Sequence, residues 1–325
     1  RYNILMIDVA FVTGSSGKIG NELVAHLLEK NILVLGIGRF SKDSTVTIKI
    51  FENKGNSLDI DDSIVCNEWI SIQENNLLDL FTFDKDRDIK AYFFHLAWEG
   101  ASSLADGGYE KQIYNVGLSA KYLDLSKKLN VIKFINTGSV DEIYVERCMK
   151  SKNFKKMQDF QHLEYGIAKL ASRDILSFKS YVENIDFIHT QTSIAIENNL
   201  TNENFVEKNL KNIITGKSYE IPKNPELCNI STTKNIAKKL HSIALVGENQ
   251  KTYYTGTSEV FSLENYFKII ESLIKGKAVN SDPKEIVASQ ILNYDDFKNT
   301  ENIANSNNHD SVEDLNRLLN SLTVL

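Results

Sequence analysis

The chain has few of the residues that signal special architectures. It carries only three cysteines and three prolines in 325 residues. Cys66, Cys148 and Cys228 are isolated, an odd and sparse set that argues against a disulfide framework. They read as reduced thiols, which implies a cytoplasmic location. The six histidines (His26, His95, His162, His189, His241 and His309) show no metal-ligand spacing, so no metal is expected. There is no apolar run of bilayer-spanning length and no secretory signal pattern, so no membrane association is expected. A net charge of −6 lacks the basic excess of a general nucleic-acid binder. Arg1 is not an initiator Met, so residues of the natural product are expected before it.

What remains is an ordinary globular composition, 42% hydrophobic and 25% charged, in a chain long enough for one large domain or two unequal ones. The most informative stretch is Val9-Ala10-Phe11-Val12-Thr13-Gly14-Ser15-Ser16-Gly17-Lys18-Ile19-Gly20. An apolar run stops at a glycine, and glycines then recur at every third position. An amphipathic helix follows, with Leu23, Val24, Leu27 and Leu28 on one face. Strand, tight turn and helix N-terminus together suit a dinucleotide diphosphate. Glycines permit close backbone approach, and free N–H groups at the helix start attract the phosphates.

Strand-like runs alternate with helical patterns through the first 190 residues, which predicts an α/β fold with a doubly wound parallel sheet of Rossmann type. Strands are expected at 32–37, 69–72, 91–96, 132–136 and 185–189, and helices at 21–30, 109–129 and 165–179. Beyond about residue 195 the pattern weakens. Helices are expected near 205–215, 262–273 and 311–322, with a turn at Pro222 and Pro225 and a loop at 299–310. The expected division is a dinucleotide-binding domain over 1–190, joined by a returning segment near 228–257, and a smaller mixed substrate-binding domain over 191–325.

At the end of the second strand, an acidic residue would bond the ribose hydroxyls and repel a 2′-phosphate. The chain instead reads Gly36-Ile37-Gly38-Arg39-Phe40-Ser41-Lys42. Arg39 offers a planar, permanently charged fork for a phosphate, and Lys42 and Ser41 could assist. NADP(H) is favoured, with NAD(H) as the alternative.

Tyr165-Gly166-Ile167-Ala168-Lys169 places a phenol and an ammonium four residues apart on one helix face. Carbonyl reduction needs a hydride and a positioned acid. A nearby cation lowers a phenol's pKa, so Lys169 can tune Tyr165 and bond the nicotinamide ribose. Ser139, at the end of the preceding strand, could hold the reacting oxygen.

These residues together resemble the extended short-chain dehydrogenase/reductases, specifically the nucleotide-sugar epimerase/dehydratase/reductase group. Thr13–Gly20 is similar to that family's TGxxGxxG loop, so Gly14, Ser16, Gly17, Lys18, Ile19 and Gly20 are expected on the cofactor. His95-Leu96-Ala97-Trp98 resembles its HxA segment, which puts Leu96, Ala97 and Trp98 beside the cofactor. Asn76-Leu77-Leu78-Asp79 resembles the D-x-x-D element near the adenine, with Asn76 and Leu77 as contacts. Asn115 falls where the family has a helix asparagine supporting the active site. Tyr165 and Lys169 match YxxxK, which gives Ser139, Tyr165 and Lys169 as the catalytic set. Ile230–Ile236 and Tyr254-Thr255-Gly256-Thr257 resemble the family's returning segments.

Two departures stand out. The family's R-x-x-N-V-Y-G-P-like segment is replaced by Gln191-Thr192-Ser193-Ile194-Ala195-Ile196-Glu197. The serine region, Ser139-Val140-Asp141-Glu142-Ile143-Tyr144, aligns either on Ser139 or on the S-T-D-E-V-Y of sugar 4,6-dehydratases. Asp141 and Glu142 are read here as a solvated loop pair, with acid–base work in a dehydratase as the other reading.

The strand end resembles that of CDP-abequose synthase-type 4-ketoreductases. The resemblance therefore implies an NADPH-dependent reductase of a nucleotide-linked 4-keto-6-deoxy sugar. The alternatives are a 4-epimerase or 4,6-dehydratase with transient oxidation, and a non-catalytic dinucleotide sensor. The expected partners are a nucleotide sugar and a second copy of the chain in a homodimer, packed through helices 109–129 and 165–179.

Overall fold

The computed structural model describes residues 9–39, 46–54, 57–65, 90–100, 108–152, 154–155, 162–197, 200, 204–221, 227–256 and 261–274. The first apolar run is strand β1 (Val9–Thr13), every residue of it buried. Helix α1 (Lys18–Glu29) follows and turns Leu23, Val24, Leu27 and Leu28 inward. Strand β2 spans Leu33–Arg39. The second wholly buried strand, β5 (Ala91–His95), precedes α2 (Tyr109–Lys128), β6 (Lys133–Ser139), α3 (Val140–Lys150), α4 (Leu163–Glu183) and β7 (Asp186–Thr192).

The large sheet has the order β11-β7-β6-β5-β1-β2-β3-β4. The pairings β11·β7, β6·β7, β5·β6, β1·β5 and β1·β2 are all parallel. Strand β11 (Lys251–Tyr254) lies in the returning segment and closes the β7 side. The topological switch falls between β1 and β5, where chain direction through the sheet reverses and where such folds place their ligands.

Both faces are covered. One buries Phe11, Phe93, Phe134 and Phe187 beneath α2 and α4. The other buries Ala10, Val12, Val34 and Phe94 beneath α1 and helix α6 (Thr233–Val246). Each fully buried Leu, Val or Phe contributes about 1.5–3 kcal/mol, so these two layers hold the strand ends in place.

Several boundaries move, and two features differ from the sequence reading. No strand was expected between residues 37 and 69, yet residues 46–54 and 57–65 are extended. They form an antiparallel hairpin, β3 (Val46–Lys54) and β4 (Ser57–Val65), that extends the sheet past β2. The alternation Val46-x-Ile48-x-Ile50 is a period-2 pattern, diluted by the charges between. Residues 140–150 form α3 rather than a loop. The strand expected at 69–72, the helix at 311–322 and the loop at 299–310 lie outside the described residues.

A smaller lobe holds β8 (Ile194–Ile196), α5 (Phe205–Ile214), β9 (Leu227–Cys228), β10 (Ile230–Thr232), β12 (Phe261–Ser262) and α7 (Leu263–Ile274). Its core gathers Ile196, Leu210, Ile230, Tyr266, Phe267 and Ile270. Among the described residues, no helix is long and apolar enough to cross a membrane.

The contact between α1 and α6 contains an imidazole pair, with His26 Nε2 and His241 Nδ1 3.1 Å apart. Burial, then His26 and Lys30, push His241 down to about 4, and burial with Lys30 lowers His26. The unfolded chain therefore binds more protons between about pH 4 and 6.5, so stability falls as pH drops through that window. Thermal melts at pH 7.5 and 5 are expected to show a larger loss for the wild type than for His241→Gln. Equal losses would contradict this.

Candidate active site

The glycine loop is built by close backbone contacts. Gly14 has φ +70°, and its N–H donates to the Ile37 carbonyl at 2.7 Å. A Cβ there would meet the Ala97 nitrogen at 2.8 Å, and a Cβ on Gly20 would lie 2.1 Å from the Gly14 carbonyl oxygen. The loop therefore abuts the segment after β5, with no room for side chains at either glycine. Gly17 caps α1 with no side-chain hydrogen bond, which leaves the first N–H groups of α1 for an anion. Ser15 Oγ is buried with no hydrogen-bond partner among the described residues. These features fit a dinucleotide diphosphate.

Thr13 joins this loop to the neighbouring strand. Its Oγ1 accepts from the N–H groups of Leu96 and Ala97 at 3.1 and 3.2 Å and pairs with His95 Nδ1 at 2.9 Å. Ser119 Oγ donates to the Asn115 carbonyl at 2.8 Å, so it accepts from His95 Nε2–H at 2.8 Å. The network thus assigns His95 a neutral Nε2–H tautomer. Burial, aided by Lys169, holds His95 down at about 3, in keeping with that form. Asn115 clamps the same turn, accepting from the Glu99 N–H at 2.9 Å and donating to the Glu99 carbonyl at 2.8 Å.

Ser139, Tyr165, Lys169 and Trp98 come together at the end of β6. Ser139 is the N-cap of α3, and its Oγ accepts from the Asp141 N–H at 3.2 Å. Such a cap is worth about 1 kcal/mol. Ser139 also donates to Asp141 Oδ2 at 3.2 Å and is hydrogen-bonded to the Tyr165 side chain. Lys169 is buried, donates to the Thr137 carbonyl at 2.8 Å, and sits 3.8 Å from the centre of the Trp98 ring. A desolvated ammonium over an indole gains about 2 kcal/mol. Trp98 stands edge-on to Tyr165, centroids 6.0 Å apart, and donates from Nε1 to Gln112 Oε1 at 2.8 Å.

Burial pulls Lys169 down to about 7, with the Glu142 carboxylate opposing. Burial raises the Tyr165 phenol above its ordinary value, Asp141 adds to this, the Ser139 hydrogen bond opposes it, and Glu142 raises it further. Burial thus favours the neutral phenol of Tyr165 and the neutral amine of Lys169.

The remaining sequence candidates divide. Leu96 and Ala97 flank the glycine loop, and Ile19 packs on the core beneath it. Ser16 Oγ would lie 2.9 Å from a Cβ at Gly38, so the loop also leans on the end of β2. Lys18 Nζ pairs with Glu207 Oε1 at 3.0 Å, which links the loop to the small lobe. Arg39 is the last residue of β2, opposite Val46, and its side chain lies outside the described part. Lys42, Asn76 and Leu77 lie outside the described residues.

Asp141 and Glu142 are not a solvated loop pair. They occupy the first turn of α3, and Glu142 is fully buried, with its Oε1 accepting from His189 Nε2 at 2.7 Å. The signal was Ser139-x-x-Glu142, the spacing of a capping box. His189 was missed because its role depends on strand register, which aligns it with Asn136 across 53 residues.

Residues 10–215 match the NAD-dependent epimerase/dehydratase family, and the chain belongs to that family. Its fold is similar to that of UDP-glucose 4-epimerase from Thermotoga maritima, solved with UDP-glucose. The TM-score is 0.67 at 15% identity, covering 98% of this chain and 99% of that one. It is equally similar to a UDP-N-acetylglucosamine 4-epimerase from Bacillus cereus, with TM-score 0.68, 15% identity and coverage of 98% and 97%. A UDP-N-acetylglucosamine 4-epimerase from Methanobrevibacter ruminantium, solved with UDP-N-acetylmuramic acid, gives TM-score 0.65 at 18% identity, with coverage of 98% and 99%. No curated protein matches the sequence. The chain is thus an α/β Rossmann-type member of the NAD-dependent epimerase/dehydratase family.

Because a Cβ at Gly20 would overlap the Gly14 carbonyl, Gly20→Ala is expected to weaken dinucleotide binding more than tenfold and to lower the melting temperature. Calorimetric titration with NADPH and NADH checks this. Wild-type affinity in the variant would contradict the loop geometry.

Proposed function

We propose that the protein is an NADPH-dependent reductase of a nucleotide-linked 4-keto-6-deoxy sugar. The observation that carries this reading is the convergence of Ser139, Tyr165 and Lys169 at one strand end, beside the glycine loop and the Leu96–Trp98 segment. A bound nicotinamide would supply the hydride. Gly14, Ser16, Gly17, Ile19 and Gly20 would seat the diphosphate, with Leu96, Ala97 and Trp98 along its flank. Arg39 at the end of β2 favours a 2′-phosphate, assisted by Lys42, and Asn76 and Leu77 would lie near the adenine.

Ser139 would hold the keto oxygen, and Tyr165 would protonate it. Lys169, fixed by the Thr137 carbonyl and the Trp98 ring, would stabilise the phenolate left behind. Lys169 Nζ lies 5.7 Å from the Tyr165 ring centre, and the Ser139 hydrogen bond opposes the rise that burial imposes on the phenol. In the division proposed, the sheet with its returning β11 binds the dinucleotide and the lobe beyond residue 190 shapes the sugar pocket.

The second reading is a 4-epimerase, favoured by the activities of the structurally similar enzymes. It uses the same three residues but returns the hydride to the same sugar. The 4,6-dehydratase reading loses its base, because the Glu142 carboxylate is buried against His189.

Stoichiometric consumption of NADPH with a nucleotide-linked 4-keto-6-deoxy sugar, in a panel comparing NADPH with NADH, supports the reductase. Interconversion of UDP-sugars without net consumption supports the epimerase instead. Tyr165→Phe is expected to lower turnover at least about a hundredfold, within the range of general acid catalysis, while dinucleotide affinity is kept. Full turnover in that variant would overturn the assignment.

A homodimer belongs to the same proposal. Helices α2 and α4 pack side by side and leave Ile113, Tyr114, Ile175, Phe178 and Tyr181 on the outside, the last two 72% and 78% exposed. An apolar face of this kind fits a second copy of itself. Light scattering is expected to give a dimer for the wild type and a monomer for Phe178→Asp/Tyr181→Asp. A wild-type monomer would contradict it.

A further inference from the structure

A charged pair joins the glycine loop to the small lobe, and no step of hydride transfer uses it. Lys18 is the first residue of α1, directly after the Gly17 cap. Its backbone belongs to the turn that suits a diphosphate, yet its ammonium is taken by the other lobe. Lys18 Nζ donates to Glu207 Oε1 at 3.0 Å.

Glu207 is fixed from its own side as well. It lies in the first turn of α5, and Oδ1 of the N-cap Asn204 accepts from the Glu207 N–H at 2.9 Å. Glu207 Oε1 accepts from Asn204 Nδ2 and from the Glu197 N–H, both at 3.3 Å. The Glu207 side chain is fully buried, and a carboxylate so enclosed is costly unless donors and a cation share its surroundings. Lys18 brings that cation from the large lobe. Helix α5 in turn packs against α7, with Leu210 and Ile213 in the core of the small lobe.

Glu197 ends the segment 191–197, which departs from the family pattern and starts at the catalytic end of the sheet. Thr192 on β7 is the register partner of Ser139 on β6. Gln191 Oε1, Thr192 Oγ1 and Ser193 Oγ are buried with no hydrogen-bond partner among the described residues. Strand β8 then carries the chain to Glu197. One carboxylate oxygen therefore gathers the start of α1, the end of β8 and the start of α5.

We propose that Glu207 is a positioning residue: through Lys18 it ties α5 and the segment beside Ser139 to the glycine loop, so that a dinucleotide in the loop orders the lobe that shapes the sugar pocket. This rests on the reading of the loop as a dinucleotide site and of the small lobe as the wall of that pocket. A diphosphate held by the first N–H groups of α1 immobilises the residue that carries the ammonium. Glu207 then holds a partner whose ordering has already been met. Coupling of this kind is reciprocal, so a nucleotide sugar that orders the lobe also tightens the loop on its dinucleotide.

Amide hydrogen exchange of the whole chain, read by mass spectrometry with and without saturating NADPH or NADH, tests this without any sugar. In the wild type the dinucleotide is expected to slow exchange over residues 14–20 and also over α5. The effect on α5 is expected to be at least about fivefold, the lower end of ordinary coupling between sites. In Lys18→Met the loop is expected to keep its protection while α5 no longer responds to the dinucleotide. Lys18→Arg is expected to keep most of the response, and Glu207→Gln, which retains the oxygen and removes the charge, to weaken it.

A merely structural tie would change α5 exchange equally with and without the dinucleotide, and that result overturns the proposal. So does a Lys18→Met protein whose α5 responds as in the wild type, or a wild-type α5 that ignores the dinucleotide while the loop is protected. Should Glu207→Gln fail to fold, Lys18→Met decides alone, because the Lys18 side chain is partly exposed. An unprotected loop overturns the dinucleotide reading and this proposal together. A protected loop in a protein without NADPH-linked turnover is failure of the reductase reading alone.

Discussion

A buried ammonium organises this site. Lys169 is 4% exposed, and an amine in that position persists only if the fold supplies its partners. It takes a carbonyl from β6 and an indole face from the turn after β5. Each partner fixes the element that carries it. The same two elements bear Ser139, Trp98 and the Leu96–Ala97 edge of the glycine loop, so the seat of Lys169 and the shape of the cleft are set together.

Parallel register extends that order across the sheet. Thr13, His95, Asn136 and His189 are successive partners on β1, β5, β6 and β7. Thr13 and His95 secure the glycine loop against the turn after β5, while Asn136 and His189 secure Glu142, and with it the first turn of α3, against the sheet. One transverse row of polar side chains thus supports the dinucleotide end of the cleft and its acid–base end. The Lys18–Glu207 pair adds a tie from the loop to the small lobe. Glu207 also accepts from the Glu197 N–H, at the end of the segment where this chain departs from the family pattern.

The parts legible in the sequence were those with local signatures. The glycine spacing, the buried runs of β1 and β5 and the Tyr165–Lys169 pair all lie within a dozen residues, and periodicity exposes them. The hairpin of β3 and β4 escaped because its alternation is short, ending at Ile50 in β3 and broken by Asp61-Asp62 in β4. Helix α3 escaped because its capping signal, Ser139-x-x-Glu142, overlaps a segment with two family alignments. The Glu142–His189 contact joins residues 47 apart and follows from strand register, which no local pattern encodes. The strand expected at 32–37 is β2, which runs on to Arg39.

The central claim is that Tyr165, Lys169 and Ser139 serve net hydride delivery to a sugar carbonyl. It is tested most directly by supplying NADPH deuterated at nicotinamide C4 with a nucleotide-linked 4-keto-6-deoxy sugar, then locating the label by mass spectrometry and NMR. The account predicts one deuterium on C4 of the reduced sugar, delivered from one face of the nicotinamide only. Reduced sugar that carries no deuterium with either C4 epimer of the labelled NADPH would contradict it.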